Sequence, residues 1–171
     1  MKSEEIISSQ YVKVPNWYFD EIQPLAPNGF SCLLLTILRE TIGWRVSEFR
    51  FTFSELTRKS GVTRDAVSRW LYAMQLVGWI FYIPAKNGSA ESLIKLRDLP
   101  TREKARVVAA AISGVAAKWN PAYCGTAKFI QALSEHLAKE HGWQFVTAPK
   151  GQRVDTFIES QFRQSWNTTG K

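Results

Sequence analysis

Arg64, Ser68, Arg69 and Tyr72 fall side by side or three to four residues apart. On a helix they share one side, with Asp65 beside them. Guanidinium, hydroxyl and phenol groups in such a stripe can hydrogen-bond base edges and neutralise phosphates, as does a helix that enters the major groove of duplex DNA. Thr63 stands just ahead of them as a helix cap. Arg58 and Lys59 close the preceding helical stretch, where they would lie over the phosphate backbone. Val67, Trp70, Leu71 and Met74 occupy the opposite side and are expected to pack inward. Asp65 suits the positive start of the helix better than a contact to a cytosine amino group.

The elements around this stripe form a helix-turn-helix. Ser54 caps a helix that Gly61 stops, and Thr63 starts the next, which runs to Gly78. Gly61 supplies the positive φ of the tight turn, and Val62 fills the space between the two helices. Phe49, Phe51 and Phe53 alternate with Arg50 and Thr52 ahead of the unit, which predicts a half-buried strand. Behind it, Trp79–Ile83 and Leu93–Leu96 read as a hairpin with its tip at Asn87-Gly88. Lys86 sits by that tip, and Lys95 and Arg97 lie on the return strand, so the hairpin has the charge of a wing along a groove. Between Gly43 and Arg97 there are nine basic residues against four acidic ones.

Upstream, Asn16 is placed to cap a short helix carrying Trp17, Tyr18 and Ile22, and Pro24 to Gly29 reads as a loop. Phe30, Leu33, Leu34, Ile37, Leu38 and Thr41 repeat at helical spacing up to Gly43, with Cys32 assigned to the same buried stripe. Asp98-Leu99-Pro100 marks a boundary, giving a first domain over residues 1–98 and a helical region over 101–171. In that region Thr101 caps an alanine-rich helix to about Lys118, and Asn120-Pro121 interrupts. A second helix runs from Gly125 to His141 with Phe129, Leu133 and Leu137 on one face. Trp143–Val146 is a candidate strand, and Val154–Trp166 a last helix or strand. The small faces of the alanine-rich helix permit dimerisation or docking on the first domain, ordinary core packing being preferred. Lys150, Arg153 and Arg163 would extend a phosphate-binding surface or are scattered surface charges. Trp143, Phe145 and Trp166 are assigned to the core, with stacking on single-stranded bases as the lesser reading.

Composition narrows the function classes. The 171 residues are 45% hydrophobic and 22% charged, so they can build a core. A net charge of +7 favours an anionic partner. No apolar run reaches the roughly 20 residues of a membrane span, and the first ten residues are polar, so a cytoplasmic protein without membrane contact is expected. His136 and His141 are five apart with no carboxylate or cysteine to complete a metal set, and Cys124 has no evident base beside it. Phosphate-binding glycine loops are lacking. A non-enzyme with no cofactor and no metal is expected.

Val14-Pro15-Asn16, Thr41-x-Gly43-Trp44 with Ser54-x-Leu56, Gly61-Val62-Thr63-Arg64, Val67-Ser68-Arg69, Leu71, Met74 and Gly78-Trp79-Ile80 occur in this order over roughly residues 12 to 83. In these motifs the chain resembles the amino-terminal domain of lambdoid phage replication O proteins. The resemblance implies a winged helix-turn-helix, mostly α with a small β-wing, that reads repeated sites at a replication origin as a dimer. Arg64, Ser68 and Arg69 would then be its major-groove readers. Trp70 departs from the pattern, since a small residue is usual there, and residues beyond 100 match no part of the family's carboxyl-terminal region. The expectation is sequence-specific binding of double-stranded DNA in phage or plasmid replication, through Arg58, Lys59, Thr63, Arg64, Ser68, Arg69, Tyr72, Lys86 and Lys95. Two alternatives stand beside it: a transcriptional regulator using the same surface on an operator, and a protein-interaction module acting on host replication or transcription machinery.

Overall fold

The computed structural model describes residues 12–86, 91–119 and 125–145. Its architecture is mostly helical with a small antiparallel sheet. A π-helical turn, Tyr18–Ile22, runs into a short α-helical turn, Gln23–Leu25 (together α1). The widened turn comes just before Pro24, whose ring and missing N–H oppose a regular α-turn. Only Ala26 and Pro27 separate α1 from α2, Asn28–Thr41, so the expected loop is two residues rather than six. Trp17 takes the cap position of the first turn, with no side-chain bond from Asn16.

The apolar repeat of α2 is buried as its spacing requires, from Phe30 to Thr41. Cys32 is exposed instead of belonging to that stripe, because two residues beyond Phe30 is about 200° round the helix. After α2 a 3-10 turn, Ile42–Trp44, ends on Arg45 with φ of 57°, so the left-handed residue of this turn is Arg45 and not Gly43.

Strand β1, Glu48–Phe51, ends two residues earlier than its aromatic alternation suggests. Phe53 instead begins α3, Phe53–Ser60, and the cap is Thr52, whose hydroxyl accepts from the Glu55 N–H at 3.2 Å; Ser54 lies inside the helix. Gly61 follows with φ of 71°, and α4 spans Arg64–Leu76. Strands β2, Ile80–Ile83, and β3, Ser92–Leu96, complete the sheet in the order β1-β3-β2. Phe49 pairs with Ile94 and Tyr82 with Ile94 from the other side, which fixes the register of all three strands. The Asn87-Gly88 tip lies outside the described residues.

Thr101 caps α5, Arg102–Ala117, accepting from the Lys104 N–H at 3.3 Å. α6, Thr126–His141, follows and stops at Gly142. Residues 143–145 form no strand, although Trp143 and Phe145 pack on the core. Asn120-Pro121, Cys124 and all expectations from Val146 onward lie outside the described residues. Among the described residues no helix is long and apolar enough to cross a membrane.

A single hydrophobic cluster runs from Ile22, Phe30 and Leu38 through Leu71 and Ile80 to Val108, Ile112, Phe129 and Leu133. α5 therefore docks on α1, and α6 on α4 and α5. The α1–α5 contact also carries ions. Glu21, almost fully buried, accepts from Arg102 Nε at 2.7 Å and from Arg106 Nε and a terminal Arg106 nitrogen at 2.8 and 2.9 Å. These charged hydrogen bonds hold its carboxyl down to about 2 against an ordinary 4.5. An unfolded Glu21 takes up a proton at higher pH than the folded one, so acid favours the unfolded chain. Stability is expected to be full above about pH 5 and to fall as the pH drops toward 2. Urea unfolding followed by circular dichroism across that range checks this, and Glu21→Gln should flatten this part of the pH dependence.

Candidate functional site

The turn between α3 and α4 is built by two residues. Gly61 adopts a left-handed backbone that costs an L side chain about 1–2 kcal/mol, and Val62 is buried between the two helices. The geometry brings the start of α4 to the surface with its carboxyl-terminal half buried. Val67, Trp70, Leu71, Ala73 and Met74 face the core. Gln75 is buried too and accepts from the Tyr82 N–H at 2.9 Å, tying α4 to β2.

Arg64 and Asp65 are exposed, Ser68 and Tyr72 half-buried, and together they leave one continuous open stripe on α4. The Arg64 guanidinium lies 5.2 Å from the centre of the Phe53 ring. It lines a shallow groove of about 430 Å³ with Ser54, Tyr82, Pro84 and Ser92, between α3 and the sheet. Tyr72 packs edge-on against Tyr82 at 5.3 Å, so its ring extends the stripe toward β2. Thr63 holds the cap position of α4 through its backbone, its carbonyl accepting from Val67 N–H at 2.8 Å, and its hydroxyl makes no cap bond.

The other expected residues divide. Arg58 is exposed at the end of α3 and makes no ion pair among the described residues. Lys59 is engaged beside it, 3.1 Å from Glu40 and 3.4 Å from Glu55. Lys86 is exposed where the described part of the hairpin ends. Lys95 stands opposite Glu48 and Phe81 in the sheet register, one residue from the buried Ile94 and therefore on the other face from it. The structure thus groups Thr63, Arg64, Ser68 and Tyr72 on α4, with Arg58 and Lys86 at its flanks, and sets Lys95 apart from them.

Arg69 has a different setting from the stripe of Arg64, Ser68 and Tyr72. Its guanidinium lies 5.4 Å from the Trp70 ring, 5.7 Å from Trp119 and 5.9 Å from Phe129. Burial pushes it below its ordinary pKa, against the opposing pull of the Asp65 carboxylate. The cause is α6, which packs along this side of α4. Phe129 meets Trp70 edge-on at 5.5 Å, and Trp70 meets Phe30 of α2 edge-on at 5.8 Å. Gly29 lets the indole approach, since a Cβ there would lie 3.1 Å from its nitrogen. Sequence reasoning missed Trp119, Phe129 and Thr126 as neighbours of α4; the one available signal was the size of Trp70, a ring too large to bury without a further partner surface. Elsewhere on α6, His136 and His141 approach each other, ring centres 6.5 Å apart. No group of three His, Cys, Asp or Glu that could hold a metal occurs among the described residues.

No family model, no curated protein and no solved structure matches the chain. The joint between α4 and α6 is open to direct measurement. Trp70→Ala and Phe129→Ala are each expected to cost about 3–5 kcal/mol in chemical unfolding. The two should be non-additive by about 0.5–1.5 kcal/mol if their rings meet as described.

Proposed function

We propose that this protein is a sequence-specific binder of double-stranded DNA, of winged-helix type, acting in phage or plasmid replication. The observation that carries the reading is the stripe opened by Arg64 and Ser68 on the first two turns of α4, immediately after the tight Gly61 turn, and continued by half-buried Tyr72. Such a helix start can enter a major groove while its carboxyl-terminal half stays anchored in the core. Support also comes from the element order: helix, strand, two helices, then two strands, with β1 beside β3. In that arrangement α4 is the recognition helix and the β2–β3 hairpin the wing.

Arg64 is the base-reading residue, since its fork of donors suits a guanine edge and it pairs with no carboxylate among the described residues. Ser68 and Tyr72 supply neutral contacts farther along the groove. Arg58 and Lys86 hold phosphates on either side, where exposed cations add affinity without sequence information. The protein acts by binding and not by catalysis. A place in replication rests on the ordered motifs from Val14 to Ile80 that resemble the replication O proteins.

Selection of bound duplexes from a random pool at physiological salt tests the reading. A defined motif recurring as repeats at an origin is the expected result; the same motif beside a promoter would reassign the protein to regulation, and retention of no duplex would overturn DNA binding altogether. Arg64→Ala is expected to weaken binding to the selected site by about tenfold or more and to relax one position of the motif. Lys86→Ala should weaken all sequences about equally and reduce the salt slope by about one.

A further inference from the structure

Arg69 is left with an unmet chemical need. Its Nε is buried without a hydrogen-bond partner, and no hydrogen bond or ion pair to its guanidinium occurs among the described residues. Three aromatic rings hold it on the side of α6. Partial desolvation of this cation is costly, and the pull of the nearby Asp65 carboxylate offsets that cost only in part. It lines a groove of about 530 Å³ between the starts of α4 and α6, together with Thr63, Asp65, Ser68, Gly125 and Thr126. Among the described residues neither helix start has a side-chain cap from its N-cap residue, Thr63 or Gly125, which leaves hydroxyls and the earliest N–H groups to serve an oxyanion. Asp65 is the one acidic side chain of the lining and limits how strongly an anion is held.

We propose that this groove seats a backbone phosphate of the same duplex that α4 reads, with Arg69 as its cation and the start of α6 as its second wall. The proposal deepens the DNA-binding reading and rests on it. In this arrangement the carboxyl-terminal helices are part of the interface and not only a support for it. Arg69 is a phosphate contact positioned by Trp119 and Phe129, not a reader of base edges.

The test uses the full chain, with inorganic phosphate and duplex as separate probes. Phosphate added at constant ionic strength should shift the Arg69 Nε–H resonance in NMR and saturate, whereas chloride should not. Thr126→Glu places a carboxylate in the groove while suiting the positive start of α6, so the fold is kept. That variant should melt no lower than the unsubstituted protein, lose the phosphate response, and bind duplex about tenfold more weakly at every sequence. Asp65→Asn should strengthen the phosphate response. An Arg69 that ignores phosphate in a protein that still binds duplex would overturn this groove and leave the DNA reading intact. A phosphate response together with unchanged duplex affinity in Thr126→Glu would reduce the site to an isolated anion pocket and also overturn the proposal. Absence of all duplex binding by the unsubstituted protein would remove the DNA reading, and this inference with it.

Discussion

The burial of Trp70 is the constraint on which the rest of the molecule depends. Its indole is wedged between Phe30 of α2 and Phe129 of α6 and lies against the backbone at Gly29. A ring of this size removes roughly 150–250 Å² from water, worth at most about 4–6 kcal/mol. The α3–α4 pair alone offers too little surface to cover it, so α6 completes the enclosure. Once α6 is docked there, the exposure of α4 is decided. The side bearing Arg64, Ser68 and Tyr72 stays open, and the side bearing Arg69 is roofed by aromatic rings.

The local signals in the chain were legible because they depend on neighbours only a few residues away. Gly61 marked the turn, Val62 its plug, and Val67, Trp70, Leu71 and Met74 the inward face, and each stands where its periodicity puts it. Thr101 and Gly142 bounded their helices for the same reason. The structure departs from the local signals where two residues, two positions apart, could do one job. Thr52 and Ser54 both have capping hydroxyls, and the earlier one wins because the strand ends at Phe51. Gly43 and Arg45 both lie in the turn after α2, and the tighter 3-10 turn moves the left-handed position to the arginine. The seat of Arg69 was not legible at all. It is made by Trp119 and Phe129, which are distant in the chain, and nothing in the stripe of Phe129, Leu133 and Leu137 names the helix it covers.

The net positive charge is also spent unevenly. Lys59 is held by Glu40 and Glu55, and Arg102 and Arg106 converge on Glu21. Those cations stabilise the fold's joints more than they project a field. Arg58 and Lys86 remain without an ion pair among the described residues, and Arg64 rests on Phe53, so part of the uncommitted charge flanks the start of α4. Counting basic residues along the sequence therefore overstates the charge available to an anion.

The Glu21 cluster has a consequence for how the chain is made. Its partners lie 81 and 85 residues farther along. At a synthesis rate of about 5–20 residues per second, Arg102 is added roughly 4–16 s after Glu21. Throughout that interval the carboxylate has neither guanidinium, and α1 has no α5 to cover it. Closure of the amino-terminal edge is therefore a late event on the ribosome, and the nascent α3–α4 pair emerges before the helices that roof Trp70 and Glu21 exist. A chain arrested in that interval would present an uncovered indole and an unpaired acid, the two features by which a chaperone could tell an unfinished copy from a finished one.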